Sequence, residues 1–193
     1  SCRKIIEVFP DDAGARYYYA MYQKRVGQPD SAEINFRFAA TSSGQDIVSE
    51  YDLYDIYSAA LPYGYNPQKI RGRCYYQLGL LSVRKGELLQ ALAYFNKAVA
   101  LNPDDADAIA DLALAYDQTG KLQDAKATFE KAIALDSNNA LYYYNYALTL
   151  GKLRDLQNSE KALAKAVELY PDFETAKAKL KALREYLNIN QNQ

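Results

Sequence analysis

The chain has 193 residues, 49% of them hydrophobic and 24% charged, with 23 Lys and Arg against 24 Asp and Glu for a formal net charge of −1. That leaves room for one globular domain or a short stack of repeats, and it excludes two large domains, a disordered polyelectrolyte, and a chain basic enough to seek nucleic acid by charge alone. His is absent and Cys2 and Cys74 are the only thiols, which removes His-dependent acid–base and nucleophile pairs and most zinc and iron sites, so no cofactor is expected.

The opening, Ser1 to Pro10, reads as the last turns of an amphipathic helix belonging to a longer chain, stopped by Pro10 and followed by Asp11-Asp12 as the next helix start. Glu7 interrupts it too early for a signal peptide. No lipobox precedes Cys2, which therefore reads as a partly buried thiol rather than a lipid anchor. Apolar runs such as Leu78 to Leu81 fall far short of the roughly 20 residues of a membrane span. Two cysteines and no N-x-Ser/Thr acceptor fit a soluble chain in either cytosol or periplasm, the cytoplasm being slightly favoured.

An internal period of 34 residues organises the rest: Gly86 and Gly120, Ala91 and Ala125, Phe95 and Phe129, and Ala98, Ala132 and Ala166 share columns, as do Leu78, Leu112 and Tyr146. Each unit holds two apolar-periodic runs, such as Tyr75, Leu78, Gly79 and Ser82 followed by Ala91, Phe95 and Ala98, which predicts a helical hairpin. Small residues at Gly79, Ala113 and Ala147 allow close helix approach, and Phe95 and Phe129 fill the space between adjacent hairpins. Gly86 and Gly120 fall between the helices, where a left-handed residue ends the first. Pro103 and Pro171 stop the second helix, and Asp104-Asp105 or Asp172 start the next.

The unit resembles the tetratricopeptide repeat: Tyr75-x2-Leu78-Gly79, then Ala91-x3-Phe95-x2-Ala98 and Pro103, with Ser82 at a position where the next unit carries Tyr116. Residues 72–105, 106–139 and 140–173 make three copies, the third with Arg154, Ser159 and Leu163 in place of Gly, Ala and Phe. Residues 174–193 form a capping helix, with Ala176, Leu180, Leu183 and Leu187 on one face, and a polar tail. Upstream, Tyr19-Ala20, Gly27, Ala32, Phe36 and Ala39 fit the same frame, so 13–46 reads as a diverged copy, with Asp30 and Glu33 as a capping box, and 1–46 as diverged N-terminal hairpins. Residues 47–71 are too few for a unit and read as an irregular helix, roughly 46–61, plus a loop through Leu61-Pro62-Tyr63-Gly64-Tyr65-Asn66-Pro67. That helix either packs into the stack as a lone element or docks in the groove as an internal ligand.

The resemblance implies an all-α, right-handed superhelical solenoid whose concave face is lined by the first helix of each unit. It places Tyr76, Ala110 and Tyr144 in one row, Leu80, Leu114 and Leu148 in a second, and Val83, Asp117 and Gly151 in a third. The groove residues taken from this are Tyr76, Leu80, Val83, Arg84, Asp111, Leu114, Asp117, Tyr144, Asn145 and Leu148. An apolar Leu row with Tyr beside it suits a peptide or helix of a partner protein, the alternative being that these side chains pack between hairpins. Tyr17 and Tyr18 are lesser candidates. Family members that grip the acidic tail of chaperones use Lys, Asn and Arg, whereas the matching positions here are Tyr76, Leu80, Asp111, Leu141 and Asn145; only Asn145 fits. Asp107, Asp111 and Asp117 would favour a basic group on the ligand.

No catalytic constellation or phosphate loop occurs, so the expectation is a non-catalytic protein-interaction scaffold. Nucleic-acid binding through Lys177, Lys179, Lys181 and Arg184 is a weaker reading because those cations spread around a helix. Self-association through the repeat faces is the remaining alternative.

Overall fold

In a computed structural model of the chain, the described residues are 6–7, 12–42 and 66–191. They fold as helices throughout their regular elements, in two compact units, residues 1–103 and 104–193. The first unit contains α1 (Ala13–Arg25), α2 (Pro29–Thr41), α3 (Pro67–Arg84) and α4 (Leu88–Leu101). The second contains α5 (Ala106–Gln118), α6 (Leu122–Leu135), α7 (Ala140–Lys152), α8 (Leu156–Leu169) and α9 (Glu174–Gln191).

The first helix of each hairpin starts on an Asp or Asn whose side chain takes up an otherwise orphaned backbone N–H. Asp12 accepts from Ala15 at 2.5 Å, Asn66 from Lys69 at 3.1 Å, Asp105 from Ala108 at 3.0 Å and Asn139 from Leu141 at 3.1 Å. The turns between paired helices share one geometry. Gly27, Gly86 and Gly120 adopt φ of 80°, 77° and 79°. The next residue's N–H reaches back to the carbonyl five positions earlier, as from Glu87 to Ser82 at 2.9 Å and from Lys121 to Tyr116 at 2.9 Å. Arg154 takes the same place in the turn between α7 and α8, with φ 63° despite its Cβ, and Asp155 N–H still reaches Leu150 O at 3.0 Å.

In the first unit α1 pairs with α2 and α3 with α4, and α2 packs directly on α3. The core is made of the repeat columns: Ala20, Ala32, Phe36 and Ala39 are fully buried alongside Cys74, Leu78 and Leu81. In the second unit α5 pairs with α6, α7 with α8, and α9 covers α8. Ala147, Leu150, Leu163, Ala166, Ala176 and Leu180 form its main cluster, so Leu163 and Ser159 occupy buried positions despite departing from the repeat pattern. Ser159 compensates for its hydroxyl by donating to Ala147 O at 2.8 Å.

Three details differ from the sequence reading. Residues 67–71, expected as loop, are the first turn of α3, because Pro67 has the φ and the missing N–H suited to a helix's first position and Asn66 caps it. Asp30 and Glu33 do not form a capping box, since Pro29 starts α2 one residue earlier and Gln28 makes no side-chain cap bond. Phe95 lies against Gly79 of its own hairpin rather than only between hairpins: a Cβ at Gly79 would stand 2.5 Å from the ring's Cε1. The expected helix 46–61, its loop to residue 65 and most of residues 1–10 lie outside the described residues.

Candidate functional site

The residues expected to line the groove sit on the first helix of each hairpin. In the first unit α3 carries Tyr76, Leu80, Val83 and Arg84. Tyr76 is partly buried, its ring 5.9 Å from Phe95. Leu80 is partly open, Val83 is 37% exposed and Arg84 is exposed. Tyr17 of α1 is closed into the core instead: it is 8% exposed, and its ring packs 5.2 Å from Tyr18, which is partly open, and 5.9 Å from Phe36.

In the second unit α5 carries Asp111, Leu114 and Asp117, and α7 carries Tyr144, Asn145 and Leu148. All six are partly buried. Tyr144 rests on Phe173 with ring centroids 4.8 Å apart, which ties α7 to the end of its own repeat. The leucine column is consistent across both units: Leu80, Leu114 and Leu148 keep part of their surface open, whereas Leu78, Leu112 and Leu150, their neighbours two residues away, are 2%, 5% and 0% exposed.

The acidic side chains of α5 behave differently from the expectation that they await a basic ligand. Asp117 accepts a hydrogen bond from Thr149 Oγ1 at 2.9 Å and forms an ion pair with Lys152. Asp107 accepts from Tyr142 Oη at 2.5 Å. These carboxylates therefore hold α5 to α7, the first helix of one repeat to the first helix of the next. Burial, and then the Asp107 hydrogen bond and charge, push the Tyr142 phenol well above its usual pKa. Tyr146 is raised in the same way by burial and by Glu130, to which it donates at 2.7 Å.

In the first unit the equivalent link between first helices is Lys24 of α1 donating to Gln77 Oε1 of α3 at 2.5 Å. Desolvation, and then the nearby positive charge of Arg84, hold the Lys24 pKa below its ordinary value. Behind it, Gln23 and Asn35, 6% and 8% exposed, satisfy each other at 2.8 Å, and Arg16 donates to Asn35 Oδ1 at 3.0 Å. Sequence periodicity showed none of these cross-helix bonds, although a search for complementary charges one period plus one residue apart would have found Asp117 and Lys152.

Among the described residues no cluster of three or more His, Cys, Asp or Glu could hold a metal, and no helix is long and apolar enough to cross a membrane. Cys74 is fully buried, and that burial pushes its thiol far above the range of a reactive thiolate.

Two tetratricopeptide-repeat family models match the chain, at residues 83–148 and 140–173. No curated protein sequence gives a significant match. Among solved structures, MamA from Desulfovibrio magneticus (residues 41 to its end) is 18% identical, with 94% of this chain and 89% of that one covered and a TM-score of 0.72. YrrB, described as a TPR protein with an unusual peptide-binding site, is 22% identical over 94% of this chain and 98% of its own, with a TM-score of 0.58. The first TPR of Spaghetti (RPAP3), solved with an HSP90 peptide, is 21% identical over 63% of this chain and 94% of its own, with a TM-score of 0.60. At these identities the solved structures establish the fold, and the two family models identify residues 83–173 as tetratricopeptide repeats.

Proposed function

We propose that the chain binds a segment of a partner protein along the first helices of its hairpins, with Tyr76, Leu80 and Val83 offering an apolar strip in the first unit and Leu114, Tyr144 and Leu148 offering one in the second. Arg84, Asp111, Asp117 and Asn145 border these strips. The observation that carries the reading is the leucine column, in which Leu80, Leu114 and Leu148 stay partly open while adjacent leucines are closed into the core. An apolar side chain held half in water at one repeat position offers a partner area to bury at about 25 cal/mol per Å². Peptide binding by YrrB and by the first TPR of Spaghetti supports a peptide as the ligand class.

The experiment is affinity capture from the source lysate with the wild type and with Leu80→Arg/Leu114→Arg, each checked for helical content. The captured segment is then made as a peptide and titrated against both purified proteins. A peptide bound by the wild type and weakened by about tenfold or more in the variant supports the strip; equal binding assigns the leucines to packing.

A further inference from the structure

Several aromatic rings of this chain carry a cation that the chain itself supplies. In the first unit Arg37 lies over the Tyr94 ring at 5.7 Å and Lys97 over the Tyr75 ring at 5.1 Å, the two rings being stacked 6.2 Å apart. In the second unit Lys121 lies over Tyr116 at 5.8 Å. The negative face of a ring attracts such a charge once it comes within about 6 Å of the centre.

The second unit also gathers three rings at the foot of α9. Phe173 stands 4.8 Å from Tyr144 of α7 and 5.8 Å from Tyr170, with the ring planes tilted by 42° and 46°. Phe173 occupies the column in which Asp105 and Asn139 cap α5 and α7, two periods and one period earlier, so a ring has replaced a capping side chain there. Tyr170 is 53% exposed, and Tyr144 and Phe173 keep part of their surface open. Among the described residues no Lys or Arg lies over these three rings, and the hydroxyls of Tyr144 and Tyr170 make no hydrogen bond, unlike those of Tyr142 and Tyr146. The surrounding chain is acidic. Across residues 165–177 Lys165 pairs with Glu168 and Lys177 with Glu174, each at 2.7 Å, which leaves Asp172, next to Phe173, as the remaining charge. Asp172 also acts on Lys177. A cation set against the rings meets their negative faces and this carboxylate, an anion is repelled by both, and a neutral side chain gains only the apolar contact.

We propose that Tyr144, Phe173 and Tyr170 form a receptor for a cationic side chain, a Lys or Arg of the partner segment, which takes on these rings the place that Arg37 and Lys97 take on Tyr94 and Tyr75. Tyr144 precedes Leu148 by one turn of α7, so the receptor continues the apolar strip of the second unit. The inference rests on the reading that the partner lies along the first helices, and it adds the charge of one of its side chains. It also moves the basic group of the ligand away from the α5 carboxylates, since Asp107 and Asp117 are engaged in holding α7.

The probes are the N-acetyl amides of arginine and lysine, with those of citrulline and norleucine as neutral counterparts of similar shape. Each is titrated into the full chain with isotope-labelled Tyr rings and followed by nuclear magnetic resonance, the Tyr144 and Tyr170 signals being assigned from Tyr144→Phe and Tyr170→Phe. Both signals are expected to move with the cationic amides, at concentrations about fivefold lower than with the neutral ones. Read on Tyr144, that preference should survive Tyr170→Phe, which keeps the ring, weaken in Asp172→Asn and disappear in Tyr170→Ala, each variant checked for helical content. Equal responses to charged and neutral amides, movement of other tyrosines in place of Tyr144 and Tyr170, or a preference that survives Tyr170→Ala overturns the inference. The amides are too small to span the strip, so the two readings fail separately: partner-peptide binding indifferent to Leu80→Arg/Leu114→Arg removes the strip, whereas loss of the ring response alone removes the receptor.

Discussion

Gly79→Ala tests whether the first-unit core depends on the absence of a side chain. An added Cβ would lie 2.5 Å from Phe95 Cε1, 2.6 Å from Cδ1 and 3.0 Å from Cζ. Carbon atoms rest at about 3.5–4.0 Å, so the ring must retreat by roughly 1 Å. Phe95 is 2% exposed and also packs on Tyr76, which leaves a rigid ring little space to yield. Overpacking of this kind costs about 1–3 kcal/mol, with the upper part of the range expected for a ring struck on three atoms, and Ala returns about 1 kcal/mol through helix propensity. The net expectation is a loss of about 1–2 kcal/mol. Gly151→Ala is the control: its Cβ would meet only Ser159 Oγ, at 3.7 Å, so propensity acts alone and stability should rise by about 0.5 kcal/mol so near the helix end. Urea unfolding followed by circular dichroism reads both, and Phe95→Leu in the Gly79→Ala background should recover part of the loss. Equal stabilisation by the two Ala variants, or no recovery by Phe95→Leu, would refute the close-approach argument.

Arg154→Gly should stabilise the second unit by about 0.5–1 kcal/mol in urea titrations, because a left-handed residue with a Cβ costs about 1–2 kcal/mol and glycine's extra unfolded freedom offsets part of that gain. The Glu33 carboxyl is held below its usual pKa, first by the Lys85 hydrogen bond, with burial opposing and Arg37 assisting. Its folded pKa is depressed, so its contribution is present above the unfolded value near 4.5 and is lost as pH falls through the folded value; acid titration of stability should lose this component in Glu33→Gln. Tyr142 and Tyr146 have raised folded pKa values, so their contribution holds below the ordinary value of 10.0 and declines as pH rises above it. Absorbance at alkaline pH should show a delayed ionising component in the folded wild type that is reduced in Tyr142→Phe and in Tyr146→Phe.

The columns legible in the sequence are those in which one residue type performs one steric task. Gly86 and Gly120 mark left-handed turns, and Ala91, Phe95 and Ala98 mark a buried helix face, because period and residue type together specify both. Arg154 shows the limit of that logic, since the turn closes without glycine once its hydrogen bonds and neighbouring hairpins impose it. The start of α3 was obscured because Asn66-Pro67 serves equally as a breaker and as a cap followed by a first-turn proline. Tyr17 was indistinguishable from a groove tyrosine because its burial depends on Phe36, which a different helix supplies. Asp107 and Asp117 read as unpaired charge because Tyr142, Thr149 and Lys152 reach them only once α5 and α7 lie side by side. The unequal partners of Lys24 and Lys152 became visible for the same reason.

The account's central claim is that a partner is held on the first helix of each hairpin. Hydrogen–deuterium exchange on the protein with and without the captured partner peptide tests it most directly. Slower exchange confined to α1, α3, α5 and α7, centred on the turns carrying Leu80, Leu114 and Leu148, is the predicted result. Protection that falls instead on α2, α4, α6 and α8 would contradict it.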